Sequence, residues 1–599
     1  MRRSDASASR LDGYAPLRDY AAIGDGRTVA LVARDGSIDW LPIPDLDSPT
    51  VFAAVLDAER GGRFVLEPEV PYRVERRYLP GTNVLETTFH TASGSARVTD
   101  ALTLPGDGLE PFRELQRRIK GLAGTVRFRW LVEPRFGYGG SNPRFGSRFG
   151  LPVASSGAEA VGLIPFDAGA STAGWSGTFE TAHGSSHLLV LPIAHQEPLV
   201  FPSRRELDAR FERTGEIWRR WTAERTYEGP WREAVIRSAL ALKLLVFAPS
   251  GAVAAAATTS LPEQVGGERN WDYRYSWIRD SAFTLQAFLR LGCPAEARAY
   301  FWWLMHTTQL DAPRLGVLYR FDGRHPATEH ELPLHGYRGS RPVRIGNAAA
   351  DQFQLDAYGE LMQTAWLYAE AGNMIDPDVG RRLGEFADFV AANWRTADSG
   401  IWEVRSEPHQ FTQSKMMCAV ALDRAAQLAE RGSLPRRHLD RWLRQAAAIR
   451  QFVGSRCFSE RRRSYVRFAG GEELDASVLL GLLHGYDDAA GPRLSSTVEA
   501  IDTGLAEGAL VRRYTGEDGV PGSEGAFLAC SFWLVEALAR VGRVDEAADR
   551  MDELIGLAND VGLYSEEIGP AGEFLGNLPQ GLSHLALISA AAAIAEASS

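Results

Sequence analysis

The sequence contains no apolar run of the 18 or more residues that a membrane-spanning helix needs, which argues against a helical membrane protein. Residues 1–11 include arginines at positions 2 and 3 but no apolar stretch of the kind found in secretory signals, so we expect a cytoplasmic protein. Neither the dinucleotide-binding glycine pattern nor the Walker pattern is present, and we therefore expect no nucleotide cofactor.

Cysteine is scarce, and basic residues are in the minority. The four cysteines, Cys293, Cys418, Cys457 and Cys530, lack the spacing of metal ligands, which predicts reduced and mostly buried thiols rather than a zinc site or a disulfide framework. The 65 Lys and Arg residues against 76 Asp and Glu residues give a net charge of -11. Because phosphates repel a protein of this sign, the charge argues against a nucleic-acid partner.

The bulk composition is that of a large, well-packed protein. Hydrophobic residues make up 45% and charged residues 24% of 599 residues, which predicts a folded chain of two or more domains. The 15 tryptophans and 17 tyrosines fit a carbohydrate enzyme, whose aromatic rings stack on sugars. They fit a large apolar core equally well.

Residues 1–203 show the pattern of an antiparallel β-sandwich. Short apolar runs, such as residues 63–66 and 83–89, are separated by Gly, Pro and Asp, and residues 126–130 alternate apolar and basic side chains. Residues 204–230 change to helical periodicity, which predicts a helical linker.

Residues 231–599 have a helical pattern almost throughout. About twelve apolar stripes with a period of 3.6 residues start near residues 231, 280, 295, 352, 376, 411, 437, 473, 492, 524, 544 and 580. Twelve helices joined by alternating short and long connections predict an (α/α)₆ barrel. A helical solenoid would give a similar count, but no repeat of roughly 34 to 45 residues is recognisable.

Polar and aromatic residues are concentrated in four segments at the ends of predicted helices. In the first, residues 269–280, the aromatic residues Tyr273 and Trp277 precede an Arg279–Asp280 pair that opens a helix. Asp280 is either the cap of this helix or an acceptor for sugar hydroxyl groups, with Arg279 as the matching donor.

The second segment is a turn between two predicted helices. It places Glu403 beside Trp402, and an apolar neighbour raises the pKa of a carboxyl group, as a general acid requires. The alternative is a surface glutamate that pairs with Arg405.

The third and fourth segments lie in long connections. Glu566 and Glu567 precede the Gly/Asn/Pro-rich turn at residues 576–580, as a catalytic base or as a solvated face. Residues 335–347 form a glycine-punctuated loop that contacts a sugar, binds an anion or is solvated. Its arginines are Arg338, Arg341 and Arg344.

These segments resemble the bacterial branch of glycoside hydrolase family 15, the glucoamylases and related trehalases. The resemblance runs nearly end to end, from Tyr-Ala-Ala-Ile-Gly-Asp-Gly at residues 20–26 to Gly-Asn-Leu-Pro-Gln at residues 576–580. It implies an N-terminal β-sandwich before an (α/α)₆ barrel. It also implies an exo-acting α-glucosidase that needs no metal or cofactor and acts on a small α-linked carbohydrate, as a monomer or a homo-oligomer.

The resemblance assigns a role to each candidate residue. The proton donor is Glu403 and the water-activating base is Glu566, with Glu567 as the less favoured neighbour. The implied mechanism is inverting, with carboxyl groups about 6.5–9.5 Å apart and β-D-glucose as the product. The implied substrate-binding residues are Tyr273, Trp277, Arg279, Asp280 and Trp402, with Arg341, Arg344 and Arg513 on the leaving-group side.

The sequence departs from the family pattern at five positions. Gln413 and Ala419 replace a usual His and Trp, and Pro42, Asp45 and Leu46 replace a usual Cys and Arg-Phe. These changes leave the catalytic pair intact and bear on the sugar in the leaving-group subsite. The open alternatives are malto- or isomalto-oligosaccharides, trehalose alone, a sugar phosphorylase, a catalytically silent sugar-binding protein on the same fold, and a helical-repeat scaffold.

Overall fold

The computed structural model describes residues 10–106, 112–172, 174–487 and 491–598. Within these ranges, the N-terminal part contains two antiparallel sheets. The seven-stranded sheet has the order β1-β2-β3-β5-β10-β15, with β4 paired to β3, and the nine-stranded sheet has the order β11-β12-β13-β16-β9-β8-β7-β6, with β14 paired to β16. The strands are β1 Ala21–Gly24, β2 Val29–Val32, β3 Ile38–Pro42, β4 Thr50–Phe52, β5 Phe64–Pro68, β6 Tyr72–Tyr78, β7 Leu85–Thr91, β8 Gly94–Leu102, β9 Arg113–Gly124, β10 Val126–Val132, β11 Arg144–Arg148, β12 Leu151–Ser156, β13 Glu159–Gly162, β14 Ile164–Phe166, β15 Ser176–Thr181 and β16 Ser186–His195.

The two sheets pack face to face, as the alternating pattern predicted. Along β10 every second side chain is buried, and the intervening Arg127, Arg129 and Leu131 are exposed. Phe128 of β10 meets Phe89 of β7 edge to face, with ring centroids 5.7 Å apart. Arg117 crosses from β9 of one sheet to bond the carbonyl oxygen of Gly36 in the other at 2.6 Å. The predicted β-sandwich is therefore confirmed.

The described part of the remaining chain is mainly helical, and short two- and three-stranded sheets lie in its connections. A connecting helix, α1 Arg204–Ala223, begins with a capping box between Ser203 and Glu206, which satisfies free N–H groups of its first turn. Proline stands in the first turn of three later helices, where its missing N–H costs nothing. The later helices are α2 Arg232–Leu245, α3 Ser281–Arg290, α4 Pro294–Thr307, α5 Asp356–Glu370, α6 Pro377–Asn393, α7 Thr412–Glu430, α8 Leu439–Arg456, α9 Leu479–Leu483, α10 Pro492–Leu505, α11 Leu528–Arg540, α12 Val544–Ile555 and α13 Gly581–Ala597.

Six of these twelve described helices form a closed inner ring. Each inner helix contacts the next in the order α3, α5, α7, α9, α11 and α13, and α13 contacts α3 to close the ring. The alternate helices pack outside and bury only one face, as α8 and α12 show. This arrangement is the predicted (α/α)₆ barrel, and all twelve predicted helices are present.

The β-sandwich and the barrel are joined by hydrogen bonds. The indole of Trp40 donates to the carbonyl oxygen of Ala257 at 3.0 Å, and Asn559 donates to that of Tyr20 at 2.9 Å. The four cysteines are buried, as predicted. In the described part of the chain, no helix combines the length and apolarity that a membrane crossing requires.

Candidate active site

The first candidate glutamate, Glu403, lies in the turn between α6 and α7. Its backbone has a φ of 58°, a left-handed conformation that costs a non-glycine residue about 1–2 kcal/mol. The turn is held by a bond from the Glu403 amide to the carbonyl oxygen of Gly400 at 3.1 Å. A second hydrogen bond runs from the side-chain amide of Gln352 to the backbone carbonyl oxygen of Glu403 at 3.1 Å. Strain of this kind is common where a side chain must be aimed at a site.

The Glu403 carboxyl group is held by two residues of the first sequence segment. Trp277 donates its indole N–H to Oε1 at 2.6 Å, and Arg279 donates to the same oxygen at 3.1 Å. Arg279 also bonds Asp280 at 2.8 Å. Burial raises the pKa of Glu403, and the Arg279 and Trp277 contacts oppose that rise. Glu403 thus has the environment of a general acid, and its partner is Arg279 rather than Arg405, which pairs with Glu329.

Asp280 and Trp402 complete this wall of the site. Asp280 stands at the N-cap position of α3, as one alternative from the sequence had it, but its side chain makes no capping hydrogen bond. The indole of Trp402 is fixed by a hydrogen bond to Asp475 at 2.9 Å, and its ring lies 6.1 Å from Trp533. The aromatic face beside Glu403 is therefore held in place.

The second candidate glutamate, Glu566, is buried in the connection between α12 and α13. Its Oε2 accepts a hydrogen bond from the Asn577 amide at 3.3 Å, and Oε1 is a buried atom without a hydrogen-bond partner among the described residues. A Cβ on Gly576 would lie 2.3 Å from Oε2, so only glycine allows this approach. Burial, together with the charge of Glu263, raises the pKa of Glu566 to about 8.

Tyr273 lies within electrostatic range of both glutamates. Its phenol is buried, and its pKa is raised by burial and by the charges of Glu566, Glu263 and Glu403. The ring also meets Trp277, the residue that binds Glu403, edge to face, with centroids 5.4 Å apart.

Glu567 belongs to a neighbouring charge cluster. Its Oε2 accepts a hydrogen bond from the Gly525 amide at 2.7 Å. Among the described residues, the carboxyl groups of Glu567, Glu263 and Glu524 come within 4.8 Å of one another, a spacing that suits a cation. The guanidinium of Arg513 lies within ion-pair distance of all three and offsets part of their charge. Both Glu566 and Glu567 are buried, so the solvated face predicted as an alternative is wrong.

A cavity of about 40 Å³ opens beside Glu403. The predicted site residues that are not part of its lining include Trp277, Arg279, Asp280, Glu566 and Glu567. The predicted residues that line it are Tyr273, Trp402, Glu403 and Arg513. Several lining residues were not predicted as site residues: Glu263, Arg269, Trp271, Gln352, Asp518 and Val520. Arg269 and Trp271 belong to a segment that the sequence did single out, whereas Glu263 and Asp518 stand in segments without a distinguishing pattern.

Two predicted leaving-group residues lie away from this cavity. Arg344 does not line the cavity, but its guanidinium stacks 4.6 Å from the ring of Trp271, which does. Arg341 is exposed and donates to the carbonyl oxygen of His335 at 3.3 Å. The structure therefore does not bring Arg341 to the site, because its hydrogen bond keeps it within its own loop.

The positions that depart from the family pattern are also outside the cavity. Gln413 and Ala419 are buried on α7, and Gln413 lines a small closed space behind Trp402. Pro42, Asp45 and Leu46 lie in and after strand β3 of the sandwich, where Asp45 binds Arg27 at 2.9 Å and Leu46 is buried.

Comparison with known proteins agrees with this geometry. Residues 229–592 match the family described as glycosyl hydrolases family 15, and residues 12–160 match the trehalase-like N-terminal family. The chain is 37% identical to a trehalase of Mycolicibacterium smegmatis, over 96% of this chain and 91% of the relative. It is 34% identical to a trehalase of Thermoplasma volcanium, over 98% and 95% of the two chains.

A solved structure shows the same fold. A bacterial glucoamylase complexed with acarbose superposes with a TM-score of 0.67 at 13% identity, covering 98% of this chain and 94% of that chain. With the sequence matches, these findings define a glycoside hydrolase that acts on carbohydrate. The chain belongs to glycosyl hydrolases family 15, as the resemblance of its motifs implied.

Proposed function

We propose that this glycoside hydrolase cleaves the α,α-1,1 bond of trehalose with inversion, using Glu403 as the acid and Glu566 as the base. The observation that carries the assignment of roles is the difference between the two buried carboxyl groups: Oε1 of Glu403 is bonded to Trp277 and Arg279, whereas Oε1 of Glu566 has no hydrogen-bond partner among the described residues. The choice of trehalose as the substrate is supported by the two trehalases described above, which are 37% and 34% identical to this chain over nearly its whole length.

The proposed reaction is a single displacement. Glu403, protonated, gives its proton to the glycosidic oxygen as the bond from that oxygen to the anomeric carbon breaks. A water attacks the anomeric carbon from the opposite face, and Glu566 takes the proton that the water loses. Oε1 of Glu566 supports this role because it is buried and free to accept a hydrogen bond from water. The proton then returns from Glu566 to Glu403 through solvent.

The remaining predicted contacts surround the glucose that is released. Arg279 and Asp280 offer a donor and an acceptor to its hydroxyl groups, and Tyr273, Trp277 and Trp402 provide aromatic faces. Arg513 holds the acidic cluster beside Glu566. We keep as predictions the division of the chain at residues 203 and 230, a cytoplasmic location, a homo-oligomer, and activity without a metal ion or cofactor.

The test is glucose release from trehalose, maltose and isomaltose, combined with proton NMR within minutes of mixing. We expect trehalose to be the best substrate and β-D-glucose to appear before mutarotation, with an equal amount of α-D-glucose from the leaving sugar. Only α-D-glucose at the earliest times would contradict inversion. If the enzyme prefers maltose or isomaltose to trehalose, the proposed substrate is wrong, but the roles proposed for Glu403 and Glu566 are unaffected.

A further inference from the structure

A glycine-rich loop, residues 516–525, crosses the active site from one catalytic segment to the other. We call it the strap. A Cβ on Gly519 would approach the amide nitrogen of Ser406, three residues beyond Glu403, at 3.1 Å. At its other end, the Gly525 amide binds Glu567, the neighbour of Glu566, at 2.7 Å. The strap therefore spans the gap between the proposed acid and the proposed base.

Arg269 fastens the strap to the barrel. Its two terminal nitrogens bond the two carboxyl oxygens of Asp518, each at 2.8 Å, and one of them also bonds the carbonyl oxygen of Val520 at 2.9 Å. Paired bonds of this type are among the strongest that side chains make. Burial opposes ionisation of Asp518, but hydrogen bonds from Arg269 and Tyr514 lower its pKa to about 2, so this latch stays charged at ordinary pH.

The strap forms part of the cavity wall. Asp518 and Val520 line the cavity, whereas Arg279 and Asp280, the proposed glucose contacts beside Glu403, do not. The cavity of about 40 Å³ has room for about three or four water molecules, which is less than a sugar ring needs. Part of the cavity wall must therefore move to admit a leaving sugar.

We propose that the strap determines the length of the substrate: latched by Arg269 and Asp518, it closes the leaving-group side after one sugar and excludes a second. A single sugar requires a shift of the cavity wall. A second sugar would have to occupy the place of Asp518 and Val520, which requires the latch to break. This inference rests on the proposed function and adds to it the part of the chain that excludes sugars longer than a disaccharide.

The test compares trehalose with trehalose that carries one further α-1,4-linked glucose. Cleavage of the 1,1 bond in the longer sugar releases maltose, which identifies the bond cut. We expect the full-length enzyme to prefer trehalose strongly in kcat/KM. Asp518→Ala should narrow the preference by about tenfold to a hundredfold, the worth of one charged hydrogen-bonded pair. Arg269→Lys keeps the positive charge but loses the paired hydrogen bonds to Asp518, so it should also narrow the preference for trehalose. It is the variant to use if Asp518→Ala folds poorly.

Glu517→Ala is the matched control. It removes the same charge from the neighbouring, exposed position of the strap, and only the backbone of Glu517 contacts Arg467. Hydrogen exchange of strap peptides, measured without substrate, should accelerate in Asp518→Ala and stay unchanged in Glu517→Ala.

Two results would overturn the inference: equal use of both sugars by the unmodified enzyme, or an unchanged ratio and unchanged exchange in Asp518→Ala. If trehalose itself is not hydrolysed, the proposed function fails. That failure is distinguishable, because exchange in the strap does not depend on turnover.

Discussion

Trp277→Phe tests whether Glu403 is the catalytic acid. The indole N–H of Trp277 is 2.6 Å from Oε1 of Glu403, and phenylalanine removes this donor while it keeps an aromatic ring against Tyr273. The hydrogen bond favours the ionised carboxylate, so its loss raises the pKa of Glu403. Because the acid must be protonated in the free enzyme, the basic limb of the profile of kcat/KM against pH should move to higher pH.

The size of the movement follows from the type of bond. A hydrogen bond to a charged group contributes about 1.5–3 kcal/mol, and 1.36 kcal/mol corresponds to about one pKa unit, so the limb should move by about one to two units. Arg279 still bonds the same oxygen at 3.1 Å and absorbs part of the change, which favours the lower end.

The assay is initial-rate hydrolysis of trehalose across the pH range in which the enzyme stays folded. Trp271→Phe is the control, because the indole of Trp271 lines the same cavity but donates to Glu263 at 3.0 Å. It should leave the basic limb where it is. A basic limb that stays fixed or moves down in Trp277→Phe would show that the titrating group is not Glu403.

Three further predictions follow from the same site. Glu403→Gln and Glu566→Gln should each lower kcat by at least about a hundredfold with an unchanged circular dichroism spectrum, and near-normal turnover in either would remove its role. Glu263→Gln should move the acidic limb of kcat/KM to lower pH, because it deletes a charge that raises the pKa of Glu566; an unmoved limb would mean that Glu263 does not influence the base. Gly576→Ala should displace Glu566 and lower kcat. The loss of kcat should be larger than for a glycine-to-alanine change far from the site that lowers the melting temperature by the same amount. An unchanged kcat would show that catalysis does not need the close approach of Gly576 to Glu566.

Local sequence patterns predicted the helices well because each helix carries its own apolar stripe. The continuously apolar run of α13 and the Pro377 start of α6 are visible within a few residues of chain. The order of strands in the sheets was not predictable in this way, because β9 lies between β8 and the distant β16. Such neighbours are chosen by the packing of the whole sandwich, and no local period records it.

The candidate site divides along the same line. Glu403 stood out because Trp402 is its neighbour in sequence, and the structure places both at the cavity. Glu263 and Asp518 are single acids in unremarkable segments, and they reach the site only because Arg513 and Arg269 meet them from distant parts of the chain. Arg341 was predicted as a site residue but lies outside the site. An arginine-rich loop can be recognised in the sequence, but the sequence does not show which of its arginines faces the cavity.

Closure of the inner ring has a consequence for how the chain folds. Helix α3 meets α13 although helices α4 to α12 lie between them in sequence, and contacts between such distant segments form slowly. Until α13 docks, the apolar faces of α3 and α11 that it covers are open to solvent, and surfaces of this kind promote aggregation. The connection ahead of α13 also carries Glu566. We therefore expect a refolding chain to form most of its helices before Glu566 reaches its place in the site. We also expect that the fraction of active enzyme recovered after unfolding is limited by aggregation during refolding and not by the stability of the folded enzyme.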